Sequence, residues 1–386
     1  MSRRKVLVYV QHLLGVGHLK RAATLARALA AEGLQVTLAS GGAAVPGMSV
    51  AGVEFVQLPP ARAADLSFKV LLDEAGREID EAWKRERAGA LLAAWRAAEP
   101  QALLLELFPF GRRQMRFELL PLLDAAAADR RRPAVYCSVR DILGGRMSPA
   151  RQQETLDLVE RYFERILVHG DRGVVPFERS FPAAASIAHR IEYTGYVVEP
   201  EDSFGGEAGK GEVIVSAGGG AVGAGLLEAA IRARPLSALR ARTWRVLAGN
   251  NLPASAFQRL AGLAGGERGL VLERARPDFT TLLSNCALSV SQAGYNTLME
   301  TVRAGARAVV VPFAGGNETE QTLRARCFAE RGLLQMVEEG ALTPSTLAAA
   351  VDRAARKPRP LPGAIDLDGA RKSAALIARR VERGPA

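Results

Sequence analysis

Cysteine is scarce in this chain of 386 residues. Cys137, Cys286 and Cys327 lie far apart, are odd in number and form no CxxC pattern. Such spacing argues against a disulfide framework and against the paired cysteines of a zinc site. We therefore expect buried free thiols and a reducing compartment.

Aromatic residues make up only 6% of the chain, and no apolar run approaches the roughly 18 residues of a membrane-spanning helix. The basic N-terminus and the apolar run after it resemble a signal peptide. That run is short, however, contains Gln11 and His12, and has no small-residue cleavage site. It predicts a first buried strand instead, and we expect a cytoplasmic protein.

The formal net charge is +10, carried mostly by arginine. The basic residues are spread over both halves of the chain rather than concentrated in a tail, so we expect no nucleic-acid partner. Two interpretations of the charge stay open. It reflects an arginine-rich composition alone, or it attracts anionic substrates or an anionic membrane surface.

Short β-rich runs alternate with helical periodicity along the whole chain, which predicts parallel sheets covered by helices on both faces. The strand candidates are residues 5–10, 34–39, 53–58, 102–107, 134–139, 166–169, 191–193, 213–216, 244–248, 270–273, 287–290, 308–312 and 333–337. The helix candidates are residues 19–31, 68–98 (one or two helices), 222–233, 296–304, 319–331 and 369–382.

The length favours two domains, and the polar, glycine-rich segment 199–211 is the best linker. We expect an N-terminal domain at 1–198 and a C-terminal domain at 212–360. A final helix at 361–386 follows a proline-rich break. The predicted fold is α/β, with two Rossmann-like parallel-sheet domains facing a cleft and the last helix packing back toward the first domain.

Glycines in the first strand-to-helix turn, Gly15 and Gly17, allow a ligand to approach the backbone closely, and the helix N-terminus offers free N–H groups to an anion. His18 follows at the start of the helix. The positive end of the helix dipole disfavours imidazolium there, so a neutral, proton-accepting histidine is expected. A plain tight turn and a packing histidine are the structural alternatives. A nicotinamide dinucleotide site is disfavoured because the third glycine and the ribose-binding acid are missing.

A second glycine-rich turn follows the first strand of the C-terminal half. Ser216, Gly218, Gly219 and Gly220 precede a helix, and together they predict a diphosphate site made of backbone N–H groups. The next strand again ends without an acidic residue, which disfavours a dinucleotide.

The most specific motif is the strand end, turn and helix start at 291–300. Gly294 makes the turn, and Asn296 or Thr297 is expected to cap the helix. Glu300 is placed to accept hydrogen bonds from both ribose hydroxyls, while Thr297 meets phosphate. A well-capped helix with a surface glutamate is the structural alternative.

A further turn, at 311–321, places Glu320 and Gln321 at a helix start. They are expected to bind sugar hydroxyls, or else to form a capping pair. Asp366 and Asp368 resemble a DxD metal-binding motif, but they lie before the last helix and not at a core strand end. We expect a helix-entry turn there and no bound metal.

Polar residues also follow strands in the middle of the N-terminal half. Glu106 ends a buried strand, where ligands collect in open α/β sheets. It is a second candidate base or an acceptor ligand. Arg112, Arg113 and Arg116 are candidates for an acceptor phosphate or a solvated helix face. Arg140-Asp141 is a similar polar pair at a strand end.

The segment AGYNTLMETVRAGARAVVVPF at 293–313, followed by EQTLRA at 320–325, resembles the donor half of GT-B glycosyltransferases. It is most similar to the MurG-like group, which transfers N-acetylglucosamine from UDP. The resemblance covers most of 212–340 and, more loosely, the GVGH turn. It departs from that group in GVGH, where MurG has a longer loop, and in GYNT. The stretch 106–112 has no counterpart in MurG, which leaves the acceptor open.

The resemblance implies a role for each matching residue. Glu300 holds the nucleotide ribose, the glycines at 15–17 and 218–220 face the diphosphate, Glu320 and Gln321 contact the sugar, and His18 is the base or an acceptor-side residue. The implied reaction is a metal-independent single displacement from UDP-N-acetylglucosamine or a similar UDP-hexose to an acceptor hydroxyl. No cofactor is needed beyond the donor substrate. MurG-like relatives act at the cytoplasmic membrane face, so a lipid-linked or phosphorylated acceptor and peripheral contact with anionic membrane are expected.

Three alternatives stay open. The stretch GVGHLKRAATLARAL at 15–29 also resembles the GxGHxxR opening of nucleotide-sugar hydrolases of the PseG kind, with Arg21 at the matching place. The longer N-terminal half disfavours that function. A UDP-sugar 2-epimerase is the second alternative, but the paired acidic residues of that enzyme are not found after the glycine turn of this sequence. A non-catalytic nucleotide-sugar sensor would keep Glu300 and the glycine loops but need no base.

Overall fold

The computed structural model of the chain describes residues 4–13, 16–45, 50–65, 68–145, 147–199, 206–218, 223–315, 319–361 and 363–384. The chain divides into two compact units. The first is Met1–Glu199 together with Asp368–Ala386, and the second is Pro200–Leu367. Gly15, Gly219 and Gly220, three of the predicted phosphate-binding glycines, lie outside the described residues.

The first unit is built on a parallel sheet with the strand order β3-β2-β1-β6-β7-β8-β9, and β4 and β5 form a separate short hairpin. The strands are β1 (Lys5–Val10), β2 (Gln35–Ser40), β3 (Val53–Gln57), β4 (Arg62–Ala63), β5 (Leu71–Leu72), β6 (Ala102–Glu106), β7 (Ala134–Arg140), β8 (Arg165–His169) and β9 (Ile191–Tyr193). The helices are α1 (Gly17–Ala31), α2 (Glu81–Ala98), α3 (Arg116–Ala128) and α4 (Pro149–Tyr162).

Successive side chains of β1 point to opposite faces of this sheet and enter two different cores. Leu7 and Tyr9 pack with residues of α2 and α3. Val6 and Val8 pack with residues of α1 on the other face. Burial on both faces explains why the strands are continuous apolar runs rather than alternating ones.

The second unit repeats this architecture with the strand order β12-β11-β10-β13-β14-β15, again parallel throughout. Its strands are β10 (Val213–Ser216), β11 (Trp244–Ala248), β12 (Leu270–Arg274), β13 (Leu288–Ser291), β14 (Ala308–Val310) and β15 (Gln335–Met336). Its helices are α5 (Ala224–Ala233), α6 (Ala254–Ala264), α7 (Phe279–Asn285), α8 (Tyr295–Arg303), α9 (Glu320–Glu330) and α10 (Pro344–Arg356).

The last helix, α11 (Gly369–Arg383), belongs to the first unit and packs on α1, as the sequence predicted. Ala374, Ile377 and Val381 enter the same core as the β1 valines. The helix starts very close to the backbone of residues 195–196. The Gly369 N–H donates to the Tyr196 carbonyl at 3.0 Å, and a side chain at 369 would collide with the carbonyl of residue 195. Glycine is therefore required where the chain returns to this unit.

The expectation of helix throughout 68–98 is wrong for its first part. Leu71–Leu72 is the strand β5, and helix begins only at Glu81. The carboxylate of Asp80 accepts a hydrogen bond from the Trp83 N–H at 2.7 Å and so caps that helix. An N-cap residue satisfies a backbone donor at a helix end, and this one fixes the start of α2. Among the described helices, none combines the length and the apolar character needed to cross a lipid bilayer.

Candidate functional site

His18 and Glu106 meet at the carboxyl edge of the first sheet. His18 is the second residue of α1, and Glu106 is the last residue of β6, which pairs with β1 in the middle of the sheet. The His18 Nδ1 atom lies 2.9 Å from Glu106 Oε1. The strand pairing therefore joins the two predicted catalytic residues, which are 88 positions apart in sequence.

The Glu106 carboxylate is almost completely buried, at 1% exposure. Arg21 donates to its Oε1 atom, as does His18, and the Ser138 hydroxyl donates to Oε2 at 2.5 Å. Burial alone raises the pKa of Glu106, but the Arg21 charge and these hydrogen bonds outweigh it and hold the pKa well below its usual range. The carboxylate is thus a fixed negative charge.

The hydrogen bond to Glu106 sets the tautomer of His18. Because an ionised carboxylate only accepts, Nδ1 carries the proton and Nε2 keeps its lone pair. Nε2 has no hydrogen-bond partner within the described part of the chain, and about 19% of the side chain is exposed. Burial lowers the pKa of His18 to about 3, with Arg112 and Arg21 acting in the same direction and Glu106 opposing them. The ring is therefore neutral and able to accept a proton, with burial as the main cause.

This arrangement gives Glu106 a different role from an independent base. Its oxygens already accept from three donors, and its pKa is depressed, so it is a weak proton acceptor. Its contact with Nδ1 holds the His18 ring in place, in the geometry of the carboxylate and histidine of a Ser-His-Asp triad.

Three further polar residues continue from Glu106, and the sequence did not single them out. Ser138, His169 and Thr194 lie in β7, at the end of β8 and directly after β9. The common signal is position, because each stands at or within one residue of the carboxyl end of a predicted parallel strand, where ligand-binding residues collect.

The three arginines named as candidates for an acceptor phosphate do not share one partner in the structure. Arg112 donates through Nε to the Gln11 carbonyl at 2.7 Å. Arg113 and Arg116 both pair with Glu154 of α4. A single carboxylate on a neighbouring helix thus pairs with two of the three cations, whereas Arg112, whose backbone is left-handed (φ 58°), contacts a carbonyl instead.

In the second unit, the turn after β10 approaches the start of α8. The Ser216 hydroxyl accepts from the Gly218 N–H at 3.2 Å and closes the turn. Gly218 has a positive φ of 71°, and a Cβ atom there would lie 3.9 Å from the Thr297 hydroxyl. The structure thus brings together the second glycine turn and the third motif, which the sequence predicted to bind the same nucleotide sugar.

Helix α8 begins one residue earlier than expected. Gly294 is its N-cap, Tyr295 is its first residue, and the Asn296 and Thr297 side chains make no capping hydrogen bond, so the cap prediction is wrong. Asn296 is exposed and Thr297 and Glu300 are half-buried. Thr297 and Glu300 are three residues apart and share one face of the helix, as neighbours at this spacing do.

Glu320 and Gln321, the predicted sugar-binding pair, begin α9. Glu320 is buried and pairs with Arg324 at 2.8 Å. The Arg324 guanidinium lies over the Tyr295 ring, 5.1 Å from its centroid. Gln321 accepts from the Phe313 N–H at 3.1 Å through its side-chain oxygen. These contacts connect α9 to the first residue of α8 and to the turn after β14.

The acidic pair before the last helix stands at a helix entry. Asp368 is the N-cap residue of α11 and pairs with Arg371. Among the described residues, there is no group of three or more His, Cys, Asp or Glu side chains arranged to hold a metal ion.

Gly223 provides a stability test of the segment that joins β10 to α5. It is the N-cap of α5 with a φ of 112°, and an added Cβ would lie 2.6 Å from Ala217 Cβ. We expect Gly223→Ala to lower the free energy of unfolding by about 1–3 kcal/mol, through backbone strain and this collision. Urea unfolding measures it.

The matched control for Gly223 is two residues further along the same helix. A Cβ at Gly225 meets nothing within 4 Å, and its φ is ordinary. Gly225→Ala should therefore raise the free energy of unfolding by about 0.4–1 kcal/mol. Equal effects of the two substitutions would contradict the turn geometry.

Comparison with known families assigns this part of the chain. Residues 219–378 match the glycosyltransferase family 28 C-terminal domain, a segment that includes β11–β15 and α8 and continues into α11. This C-terminal part of the chain is therefore assigned to the glycosyltransferase family 28 C-terminal domain. The matched segment contains Thr297, Glu300, Glu320 and Gln321.

Solved structures show that the chain as a whole has the fold of GT-B glycosyltransferases. MurG of Acinetobacter baumannii is similar at 16% identity and a TM-score of 0.60, covering 97% of this chain and 99% of that one. CalG4, the calicheamicin glycosyltransferase, is similar at 17% identity and a TM-score of 0.61, covering 99% of this chain and 95% of that one. Phytolacca americana UGT2, complexed with UDP-2fluoro-glucose and pterostilbene, is similar at 15% identity and a TM-score of 0.57. The match covers 98% of this chain and 94% of that one. No curated protein matches the sequence.

Proposed function

We propose that this protein is a glycosyltransferase that moves a hexose, N-acetylglucosamine or a similar sugar, from a UDP-sugar to an acceptor hydroxyl by a metal-independent single displacement. The observation that carries the proposal is the His18–Glu106 pair. A neutral histidine, held by a buried carboxylate through Nδ1 and open at Nε2, is built to take a proton.

In the proposed step, Nε2 of His18 accepts the proton of the acceptor hydroxyl. The oxygen then bonds to the anomeric carbon of the donor while the bond from that carbon to the diphosphate breaks, and UDP leaves with the electron pair. The imidazolium that forms lies 2.9 Å from the Glu106 carboxylate, which offsets its charge.

The donor is proposed to bind the second unit. The turn after β10 is glycine-rich and lies beside the N-terminus of α8, whose backbone N–H groups suit a diphosphate. Glu300, on the same face of α8 as Thr297, is proposed to accept hydrogen bonds from the ribose hydroxyls. The UDP ligand of the solved Phytolacca enzyme, which shares this fold, supports a uridine nucleotide. Glu320 and Gln321 remain proposed neighbours of the sugar.

Hydrolysis of the nucleotide sugar is a second candidate, favoured by Arg21. This arginine of the GxGHxxR pattern pairs with Glu106 directly behind His18. The same base that activates an acceptor hydroxyl would activate water, so the two functions differ only in what occupies the acceptor position.

Incubation of the full chain with a panel of UDP-sugars, scored for UDP release, tests both candidates. The proposed transfer predicts that release rises when hydroxyl acceptors are added and that a glycosylated product appears by mass spectrometry. Equal release in water alone supports hydrolysis. Binding of UDP-sugars without release under any condition would support a sensor and overturn the proposal.

Glu300→Ala is the specific test of the donor site. Removal of a carboxylate that accepts ribose hydroxyls should weaken UDP binding by about 1.5–3 kcal/mol, the contribution of a charged hydrogen bond. Isothermal titration with UDP measures it. Glu330→Ala, which removes an exposed carboxylate at the end of α9, is the charge-matched control and should leave the affinity unchanged. Wild-type affinity in Glu300→Ala would place the ribose elsewhere.

A further inference from the structure

A line of buried side chains continues behind the His18–Glu106 pair. The Ser138 hydroxyl lies 2.5 Å from Glu106 Oε2 and 2.9 Å from His169 Nε2. His169 Nδ1 in turn lies 2.9 Å from the Thr194 hydroxyl. The four residues behind His18 are at most 2% exposed. An apolar set of the same size would pack here without the cost of burying polar groups, so the line calls for an explanation.

The carboxylate charge fixes the direction of every hydrogen bond in this line. Ionised Glu106 can only accept, so the Ser138 hydroxyl donates its one hydrogen bond to Oε2. Ser138 can then only accept from His169, which must carry its proton on Nε2. His169 Nδ1 is left as an acceptor. It accepts a hydrogen bond from the Thr194 hydroxyl at 2.9 Å, and this contact is shorter than the one from the same hydroxyl to the Gly195 carbonyl, at 3.5 Å.

The reverse direction is disfavoured by the same distances. If Ser138 donated to His169, its oxygen would lie 2.5 Å from a carboxylate oxygen with no proton between them. Protonated His169 is disfavoured as well. Burial lowers the pKa of His169 to about 3, and the nearby Arg21 charge adds to this although Glu106 opposes it.

We propose that Ser138, His169 and Thr194 form a directional hydrogen-bond relay, hereafter the relay, that holds the Glu106 carboxylate in the orientation that keeps His18 in its Nδ1–H tautomer. His169 is thus a positioning residue, acting on the proposed base through Ser138 and Glu106. This inference rests on the proposed function for its catalytic consequence, but its structural content is testable without any sugar nucleotide.

Histidine tautomers report on the relay directly. The chain has four histidines, namely His12, His18, His169 and His189. In ¹⁵N-histidine-labelled full-length protein, long-range ¹H–¹⁵N spectra distinguish the protonated from the bare ring nitrogen, and single substitutions assign the signals. We expect His169 as the Nε2–H tautomer and His18 as the Nδ1–H tautomer, with no titration of His169 between pH 5 and 8.

Glu106→Gln gives the sharpest change. A glutamine places its oxygen toward Arg21 and its NH₂ group toward Ser138, because two donors cannot face each other. Ser138 then donates to His169, and the proton of His169 moves from Nε2 to Nδ1. We expect this tautomer switch at His169, which lies 31 positions after Ser138 in the sequence. A spectrum of His169 unchanged by Glu106→Gln overturns the relay.

Ser138→Ala tests the catalytic consequence. It removes one hydroxyl, and we expect turnover to fall about 3- to 30-fold, the range of one or two lost hydrogen bonds, with the KM for the donor unchanged and a mixed His18 tautomer. Ser40→Ala is the matched control, because Ser40 is an equally buried strand serine of the same sheet whose hydroxyl lacks a hydrogen-bond partner among the described residues. It should leave turnover and tautomers unchanged.

His169→Gln covers the case in which Ser138→Ala unfolds. The glutamine amide can donate to Ser138 and accept from Thr194, so it should keep the His18 tautomer, whereas His169→Leu should lose it. A loss of melting temperature in all variants with an unaltered His18 tautomer would reduce the relay to a packing role and overturn the proposal. Failure of the UDP-sugar assay with intact tautomer responses would instead reject the proposed function and leave the relay standing.

Discussion

His18→Ala is expected to lower turnover about 10²- to 10⁴-fold while leaving UDP affinity nearly intact. The factor is the usual contribution of a general base. UDP affinity should persist because His18 belongs to the first unit, whereas the residues proposed to hold the nucleotide belong to the second. Steady-state turnover with the best donor and acceptor of the panel, and titration with UDP, measure the two quantities.

The control for this substitution is His189→Ala. His189 is 62% exposed and pairs only with Glu160 among the described residues, so its loss should not alter turnover. Near-normal turnover in His18→Ala would mean that another group, or water alone, takes the acceptor proton.

The pH dependence of turnover gives a second check on His18. Burial lowers its pKa to about 3, below the ordinary value of about 6.5. The neutral, base-competent form is therefore present at neutral pH and is lost only as pH falls toward the folded pKa. The acid limb of the turnover profile should lie well below pH 6.5. For the same reason, burial of neutral His18 destabilises the fold only below about pH 6.5, where the unfolded chain takes up the proton first.

Glu106→Gln is the second substitution with a large expected effect, a fall in turnover of about 10²- to 10⁴-fold. The amide retains hydrogen-bonding shape but carries no charge to offset the imidazolium, and the equivalent loss in a Ser-His-Asp triad is about 10⁴-fold. Arg21 adds to the effect because its buried guanidinium loses its carboxylate partner and then opposes the protonation of His18.

Because Arg21 loses its carboxylate partner, Glu106→Gln should also lower the free energy of unfolding. A buried charge that loses its partner destabilises a protein by about 3–5 kcal/mol. Turnover must therefore be compared below the melting temperature of the variant, measured by circular dichroism. Glu154→Gln, which removes a carboxylate from a partly exposed pair, is the control and should change neither quantity greatly. Wild-type turnover in Glu106→Gln would show that the carboxylate does not assist His18.

Most strands of both sheets were predictable from the sequence because their signals are local. Runs such as 5–10 and 213–216 are short, β-branched and buried on both faces, and the structure places strands at the same positions. Helices with weaker patterns were not predicted. Residues 116–128 form α3 although they contain Pro121 and bury residues on several sides, so no single apolar stripe marks them.

The glycine turns and the candidate residues His18, Glu106 and Glu300 were also evident from local patterns of strand end, turn and helix start. Those patterns did not show which other residues each candidate contacts in the folded protein. The cap at Gly294 in place of Asn296 or Thr297 is one example, since the start of α8 depends on the backbone path out of β13. The pairing of Arg113 and Arg116 with Glu154 is another, because it depends on how α4 packs beside the first turn of α3.

The sequence by itself determined the αβ alternation, the two glycine-rich turns and the identity of a histidine at the start of the first helix. Tertiary structure alone decided that Glu106 is a partner of this histidine, and that Ser138, His169 and Thr194 stand in line behind it. The reason is the strand order β1-β6-β7-β8-β9, which brings into contact residues that lie 25 to 88 positions apart in the chain. Adjacency across a parallel sheet comes from pairing between distant segments, and no local pattern encodes it.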